Sequence, residues 1–475
     1  MKLNYKRTIF VGFAFFLICA FWQAYDAIIP LILTNRFGLP QSVSGAVMSF
    51  DNVLAVFLLP LFGSISDKCK GKNGKRTPFI FFGTVAAIVA FVALSFVDNY
   101  QLAKVMTQGV HTMPNGTEAE LKEVLSATWK ITAANPLPLI LFIITLLVVL
   151  VAMATFRSPA VALMPDITLK PLRSKGNAII NLMGTAGGIS VLVLGMIFGT
   201  SKDAYMKYTG YVLAVCAIMA IGLVVFLFTV KENKWAAEME EDTKKFGLEE
   251  KEEAKADGTP RTLDRAELKS LLLILASVAL WYIGYNSITS KYSVYATTIL
   301  HFDFNFTLII AQAAAIVSYI PVGIISSKFG RRKTVLAGVL ILSAAFFAGN
   351  FITAKSPEFI MIPIFILAGI GWATINVNSF PMVVELARGG DVGKYTGYYY
   401  TASMSAQIVA PILSGAIYDI VGKAVGNVDL GMRYVFFIFG AVFVAFSFVT
   451  MFFVKHGDSK NIEKKSALEH LDVDD

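Results

Sequence analysis

The sequence predicts an all-α membrane protein with twelve transmembrane helices in two pseudo-symmetric six-helix bundles. Three observations support this fold class: the composition, a series of long apolar runs, and a basic, glycine-rich motif that occurs twice. Of the 475 residues, 56% are hydrophobic and only 16% are charged, whereas a soluble chain of this length needs far more polar surface. The net charge is +8, but the basic residues lie between the apolar runs and not on a soluble face. We therefore expect no nucleic-acid partner.

Each apolar run is long enough to cross a hydrocarbon core of about 30 Å. Because only helices and closed barrels satisfy the backbone in lipid, runs this long and continuous predict helices. The predicted spans, numbered one to twelve, are 8–33, 43–66, 78–97, 138–164, 176–200, 208–231, 267–289, 304–326, 334–354, 358–384, 394–418 and 431–454.

Lys and Arg residues are distributed unequally between the two sides of the predicted membrane. They are about three times more numerous in the segments on the side that holds both termini. Since positive loops stay in the cytoplasm, this bias predicts a multi-pass protein of the plasma (inner) membrane with both termini cytoplasmic. The three cysteines lie in or beside apolar runs and predict no disulfide framework.

The repeated motif divides the chain into halves. Gly63–Phe79 joins spans two and three, and Gly323–Lys333 joins spans eight and nine, the equivalent place in a second set of six. This correspondence predicts a duplicated unit. We therefore expect an N-terminal bundle over 1–231, a cytoplasmic linker over 232–266 and a C-terminal bundle with a cytoplasmic tail over 267–475. The linker is rich in Glu, Lys, Asp and Ala, which is more typical of a solvated, partly helical connection than of a regulatory platform.

Three charged residues lie inside predicted spans, where each costs at least a few kcal/mol unless it meets a partner or water. Asp26 and Asp51 lie on the order of 10–12 Å below the outer surface, on helices joined by a short loop. Burial and a neighbouring like charge both favour the protonated form of a carboxyl group, so the two are candidates for proton coupling. Asp51 could alternatively cap or break its helix. Arg157 keeps its proton, so it must face a cavity and pair with an acid, a carbonyl group or a bound anion.

Neutral polar and aromatic residues on the spans suit a hydroxylated ligand, through stacking and bidentate hydrogen bonds. The candidates for substrate binding, together with Arg157, are Trp22, Tyr285, Asn286 and Asn376. Packing or anchoring at the membrane interface is the alternative for each of them.

A second group of residues lies at the inner ends of spans and is expected to form ion pairs that close the cytoplasmic side. We interpret this group as a conformational gate and not as a substrate site. Its members are Gly63, Asp67, Lys68, Gly74, Arg76, Asp166, Gly323, Lys328, Arg331, Arg332 and Glu385. The sequence shows no metal-ligand spacing among the histidines and no phosphate-binding loop, so we expect neither an enzyme nor a cofactor or metal site.

These motifs resemble the major facilitator superfamily over nearly the whole chain. More narrowly, Ser66–Cys69 and Gly74–Phe79 are similar to the S-D-R-C and G-R-R-R-P-F segments of sucrose–proton symporters. Ser158–Asp166, followed by Asn177-Ala178, is similar to their G-P-x-R-A-L-x-A-D and N-A segments. These symporters resemble the glycoside–pentoside–hexuronide cation symporters. The resemblance implies the major facilitator fold, alternating access and cation-coupled uptake of a sugar or glycoside.

The chain departs from that pattern at two points. The family's arginine falls at Val161, with Arg157 one helical turn earlier, and 137–157 lacks the acid that the sucrose symporters carry there. Proton coupling would then depend on Asp26 or Asp51. The hypothesis is a monomeric proton-coupled or sodium-coupled symporter of a sugar or glycoside. The alternatives are a carrier of an anionic solute (a uronide or organic acid) held by Arg157, or an exporter of amphipathic compounds.

Overall fold

A computed structural model describes residues 3–69, 71–109, 118–169, 173–203, 205–245, 264–386, 392–425 and 428–457. Throughout these ranges the regular structure is helical. The second part of the predicted linker and the predicted cytoplasmic tail beyond 457 lie outside the described residues.

Among the described residues, eleven helices are long and apolar enough to cross a membrane, and the apolar stretch Phe304–Tyr319 forms part of a further long helix. This agrees with the predicted twelve crossings. The α-helices are α1 (Tyr5–Asn35), α2 (Gln41–Met48), α3 (Phe50–Lys68), α4 (Thr77–Thr107), α5 (Glu118–Ala134), α6 (Leu137–Asp166), α7 (Arg173–Phe198), α8 (Thr209–Thr229), α9 (Glu232–Lys245), α10 (Arg265–Tyr295), α11 (Phe304–Phe329), α12 (Arg331–Gly349), α13 (Met361–Val384), α14 (Val392–Val425), α15 (Val428–Val435) and α16 (Val444–Phe452).

Several spans differ in shape from the prediction. Span two is divided at Ser49 into α2 and α3, and the last span contains a π-helical segment, Phe436–Phe443, between α15 and α16. A π-helical segment, Ala296–Leu300, also extends α10. The segment between spans three and four contains the additional helix α5, and the linker contains α9.

Four charged residues that lie outside the predicted spans belong to the packed structure. Arg36 and Asp98 form an ion pair whose side chains are 0% exposed, and Lys291 is 1% exposed because α10 continues past residue 289. Asp419 lies within α14, which continues to Val425. The predicted spans ended too early at these positions, because a charge at the end of an apolar run looks the same in sequence whether it is solvated or paired.

Helices within each half pack closely, often through glycine. At Gly187 of α7, an added Cβ would lie 2.5 Å from the carbonyl oxygen of Phe16 on α1. At Gly369 of α13, it would lie 2.2 Å from the carbonyl oxygen of Ala311 on α11. Small residues allow membrane helices to approach backbone to backbone, since lipid provides no hydrophobic drive for their association. These contacts join α1 to α7 and α11 to α13 at backbone distance.

The first part of the linker docks on the N-terminal half. The Glu232 carboxylate, 3% exposed, accepts hydrogen bonds from the backbone amides of Lys75, Arg76 and Thr77, each at 2.8 Å. A carboxylate placed there satisfies amides that have no partner within the first turn of α4. Next to it, the Arg7 guanidinium lies 5.3 Å from the Trp235 ring centroid. α9 is therefore attached to the first copy of the repeated motif, Gly63–Phe79.

Candidate functional site

A cavity of about 190 Å³ lies between the two halves. Both halves contribute to its wall, which is formed by Trp22, Tyr25, Asp26, Met48, Asp51, Asn52, Arg157, Asn286, Thr289, Ser290, Gln407 and Pro411. The structure thus brings together five of the predicted site residues: Asp26, Asp51, Arg157, Trp22 and Asn286. The three charged residues predicted inside spans all face this cavity.

The break in span two places Asp51 in the cavity wall. The Ser49 hydroxyl donates to the carbonyl oxygen of Gly45 at 2.9 Å, and it lies 2.7 Å from the carbonyl oxygen of Ile408 on α14. A new helix begins at Phe50, with Asp51 in its first turn. The N-terminus of a helix stabilises a negative charge. Asp51 therefore lies both at a helix break, as the sequence alternative proposed, and in the cavity wall.

The charged residues of the N-terminal wall lie beside the aromatic ring of Trp22. The Arg157 guanidinium lies 5.4 Å from the centroid of the Trp22 ring, and the Asp51 carboxylate attracts it. Within the described part of the chain, Arg157 forms no ion pair at 4.0 Å or less. Asp51 accepts a hydrogen bond of 2.8 Å from the Asn52 amide. The guanidinium therefore has donors available for a bound molecule.

Asp26 lies on α1 at a place where the helix lacks one hydrogen bond. Pro30, one turn later, has no backbone N–H to donate to the Asp26 carbonyl oxygen. The Ser293 hydroxyl of α10, in the other half, lies 3.4 Å from that oxygen and supplies a donor. The carboxyl group of Asp26 is exposed along the cavity. Pro30 thus leaves the Asp26 carbonyl oxygen free to accept a hydrogen bond from Ser293 of the other half, next to the Asp26 carboxyl group.

The C-terminal wall is neutral and polar. The amide nitrogen of Asn286 donates to the Tyr282 carbonyl oxygen at 2.8 Å, and that of Gln407 donates to the Ser403 carbonyl oxygen at 3.2 Å. Each amide oxygen remains an acceptor for a donor in the cavity. This wall can therefore accept hydrogen bonds from hydroxyl groups, while the opposite wall carries the charges.

Two predicted binding residues, Tyr285 and Asn376, are not among the residues that line this cavity. Tyr285 stacks on Trp372 inside the C-terminal half, with ring centroids 3.8 Å apart and an angle of 9° between the planes. Asn376 is half-buried on α13 and is not part of the cavity wall. This stacking agrees with the packing alternative for Tyr285, and its role in binding stays a prediction.

Sequence reasoning missed hydroxyl and amide groups in the wall. Thr289 and Ser290 lie three and four residues after Asn286, on the same helical face, and this spacing could have identified them. Asn52 could have been identified as the neighbour of Asp51. Hydroxyl groups give a weak signal in sequence because a helix satisfies them internally, as it does at Thr155, which donates to Val151.

The predicted cytoplasmic ion pairs form within each half. Arg76 donates to Asp166 at 2.8 Å and also pairs with Asp67, all in the N-terminal half. Arg331 pairs with Glu385 at 3.1 Å in the C-terminal half. Among the other members, Gly63 lies close to the Ser158 hydroxyl, and Gly74 has a positive φ of 114° beside Glu232. Arg332 donates to the Phe452 carbonyl oxygen. Gly323 has open space around it, and Lys68 and Lys328 are exposed. Their role as a gate remains a prediction.

Among the described residues, helices from the first and second parts of the chain surround one charged cavity, as in secondary transporters. The chain belongs to the Major Facilitator Superfamily, whose sequence model it matches over residues 11–318 and 301–471. It is therefore a multi-pass membrane transporter and not an enzyme. No curated protein sequence matches it significantly.

Solved transporters share the fold over almost their entire length. The inward open xylose transporter XylE from E. coli is similar at 13% identity, covering 98% of this chain and 99% of that chain, with a TM-score of 0.64. A D-xylose-proton symporter is similar at 15% identity (96% and 99% covered, TM-score 0.59). The nucleoside transporter NupG is similar at 14% identity (95% and 100% covered, TM-score 0.57). At these identities the likeness concerns the fold.

Proposed function

We propose that the chain is a proton-coupled symporter of a neutral sugar or glycoside that works by alternating access. The observation that carries this proposal is the cavity between the halves, with a carboxyl group, an arginine over a tryptophan face and a neutral hydrogen-bonding wall. Aromatic faces and amide groups together suit a hydroxylated ligand. The sequence resemblance to sucrose and glycoside symporters and the fold shared with a D-xylose-proton symporter point the same way.

Asp26 is the better candidate for the proton-binding group. The Asn52 amide donates a hydrogen bond to the Asp51 carboxylate, and Arg157 attracts it, so Asp51 has partners for its charged form. Among the described residues, no hydrogen bond or ion pair engages the carboxyl oxygens of Asp26. Protonation of Asp26 and occupation of the cavity would jointly favour closure around the solute. The membrane potential contributes roughly 2.3 kcal/mol per charge per 100 mV.

Replacing Asp26 by asparagine tests this assignment. Because Asn cannot bind or release a proton, we expect Asp26→Asn to abolish gradient-driven accumulation of labelled sugars in proteoliposomes while counterflow exchange continues. Asp242→Asn, on the exposed face of α9, is the matched control and should accumulate like the parent. Accumulation that persisted in both Asp26→Asn and Asp51→Asn would refute proton coupling through the cavity.

A second candidate is a carrier of an anionic solute, such as a uronide or an organic acid. It is favoured by Arg157, which has no ion-pair partner among the described residues and faces the cavity. A carboxylate would take up two of its donors in a bidentate pair. In both cases we place the protein in the plasma (inner) membrane, as a monomer with both termini cytoplasmic.

A further inference from the structure

A pair of glutamine side chains joins α1 to α11 next to the cavity. The amide nitrogen of Gln312 donates a hydrogen bond of 2.7 Å to the amide oxygen of Gln23. Gln23 directly follows Trp22 and precedes Asp26 by three residues, and both of these residues line the cavity. Since positions three apart share a face of a helix, Gln23 lies one turn from Asp26 on the same side of α1. The amide pair therefore borders the cavity wall.

Each of these two amides uses only part of its hydrogen-bonding capacity. A glutamine side chain offers two N–H donors and an oxygen that can accept two hydrogen bonds. Among the described residues, the Gln23–Gln312 bond is the one hydrogen bond that either side chain makes. Both side chains are half-buried, and neither has a buried polar atom without a partner. The unused donors and acceptors therefore reach space that water or a solute can occupy.

A glycine of α7 leaves room for the pair. At Gly188, an added Cβ would lie 3.3 Å from the amide oxygen of Gln312 and 3.6 Å from that of Gln23. The first distance is closer than most real Cβ contacts, so even an alanine here would press on the Gln312 amide. The two amide oxygens thus lie together beside a position that carries no side chain.

We propose that the Gln23–Gln312 pair is a second sugar subsite, beside the cavity, that recognises two adjacent hydroxyl groups of the solute. The inference rests on the proposed sugar transport. Gln23 keeps two free N–H donors and Gln312 keeps a free oxygen, so the pair can donate to one hydroxyl group and accept from its neighbour. The bond between the amides need not break. A carboxylate has no hydrogen to donate to the Gln312 oxygen, so this subsite favours a neutral sugar over an anion.

Equilibrium binding of monodeoxy sugars to the purified protein tests this subsite. The probes are sucrose, D-xylose and methyl β-D-glucoside, each compared with analogues that lack one hydroxyl group. For the probe that binds most tightly, we expect two analogues that lack adjacent hydroxyl groups to bind the parent roughly two- to tenfold more weakly, the effect of one neutral hydrogen bond. In Gln23→Leu and in Gln312→Leu, at least one of these two losses should disappear. Gln108→Leu, at an exposed position, is the matched control and should discriminate like the parent.

Gln23→Asn and Gln312→Asn shorten each side chain but keep its amide, and they decide the question if a leucine variant does not fold. The subsite would be overturned if the parent bound every analogue as tightly as the probe, or if the folded variants kept both of the parent's losses. Neither result would affect proton coupling, which Asp26→Asn tests by accumulation. If none of the three probes bound, the proposed sugar transport would fail, and the subsite with it.

Discussion

Replacing Arg157 by lysine should lower the affinity for the transported solute roughly 10- to 100-fold, since a hydrogen bond to a charged group contributes about 1.5–3 kcal/mol. Lysine keeps the charge, but its ammonium group cannot lie flat on Trp22 and present parallel donors to a ligand at the same time. The loss should appear in equilibrium binding to the purified protein. The fold should remain intact because Arg157 has no ion-pair partner among the described residues.

Comparison of ligands in this variant separates the two candidate functions. Under the proposed sugar symport, a neutral glycoside and the corresponding uronide lose affinity to a similar degree. Under the anionic alternative, the uronide alone suffers the large loss. Arg265→Lys, in the exposed first turn of α10, is the matched control and should bind like the parent. Unchanged affinity for both ligands in Arg157→Lys would remove Arg157 from the binding site.

Replacing Asp98 by alanine should produce a large loss of stability, about 3–5 kcal/mol, because it leaves the Arg36 guanidinium buried without its acid. The two side chains are 0% exposed and their charged atoms lie 2.8 Å apart. Arg36 also lies 4.6 Å from the Tyr208 ring centroid and donates to the Met206 carbonyl oxygen, so it cannot turn outward without breaking other contacts. The melting temperature in detergent measures the effect.

An exposed pair between α1 and α9 gives the control for this prediction. Arg7 and Glu238 lie 2.5 Å apart with side chains 38% and 36% exposed. Glu238→Gln should cost less than about 1 kcal/mol, because water screens and replaces such a pair. If Asp98→Ala lowered the melting temperature no more than Glu238→Gln, the buried pair would have no special role in the fold.

The helices and the two halves could be predicted because lipid leaves the backbone few alternatives, so that apolar length alone indicates a span. Apolar length does not indicate the break at Ser49, for which the only hint in the sequence was the charge of Asp51 two residues later. No glycine or proline marks it, and it coincides with a hydroxyl contact to Ile408 in the other half. A contact between residues 359 positions apart has no local signature.

The charged members of the cavity wall were easier to predict than most of its neutral ones. Asp26, Asp51 and Arg157 are costly in lipid, so their presence in apolar runs already indicated a polar interior. Ser290 and Gln407 cost little inside a helix, since each can bond to a carbonyl group of its own turn. The burial of Lys291 was missed for a different reason: at the end of an apolar run it is expected in a loop, whereas α10 continues past it.

The central claim is that one cavity binds solute and proton together, and the most direct test measures ligand-induced stabilisation at two pH values. The purified protein is heated with neutral sugars and glycosides at pH 6 and at pH 8, alongside Asp26→Asn, because a ligand stabilises the state that it binds. The account predicts a sugar or glycoside that raises the melting temperature of the parent more at pH 6 than at pH 8, and that stabilises Asp26→Asn equally at both. Equal stabilisation of the parent at both pH values, or a pH dependence that Asp26→Asn retains, would contradict it.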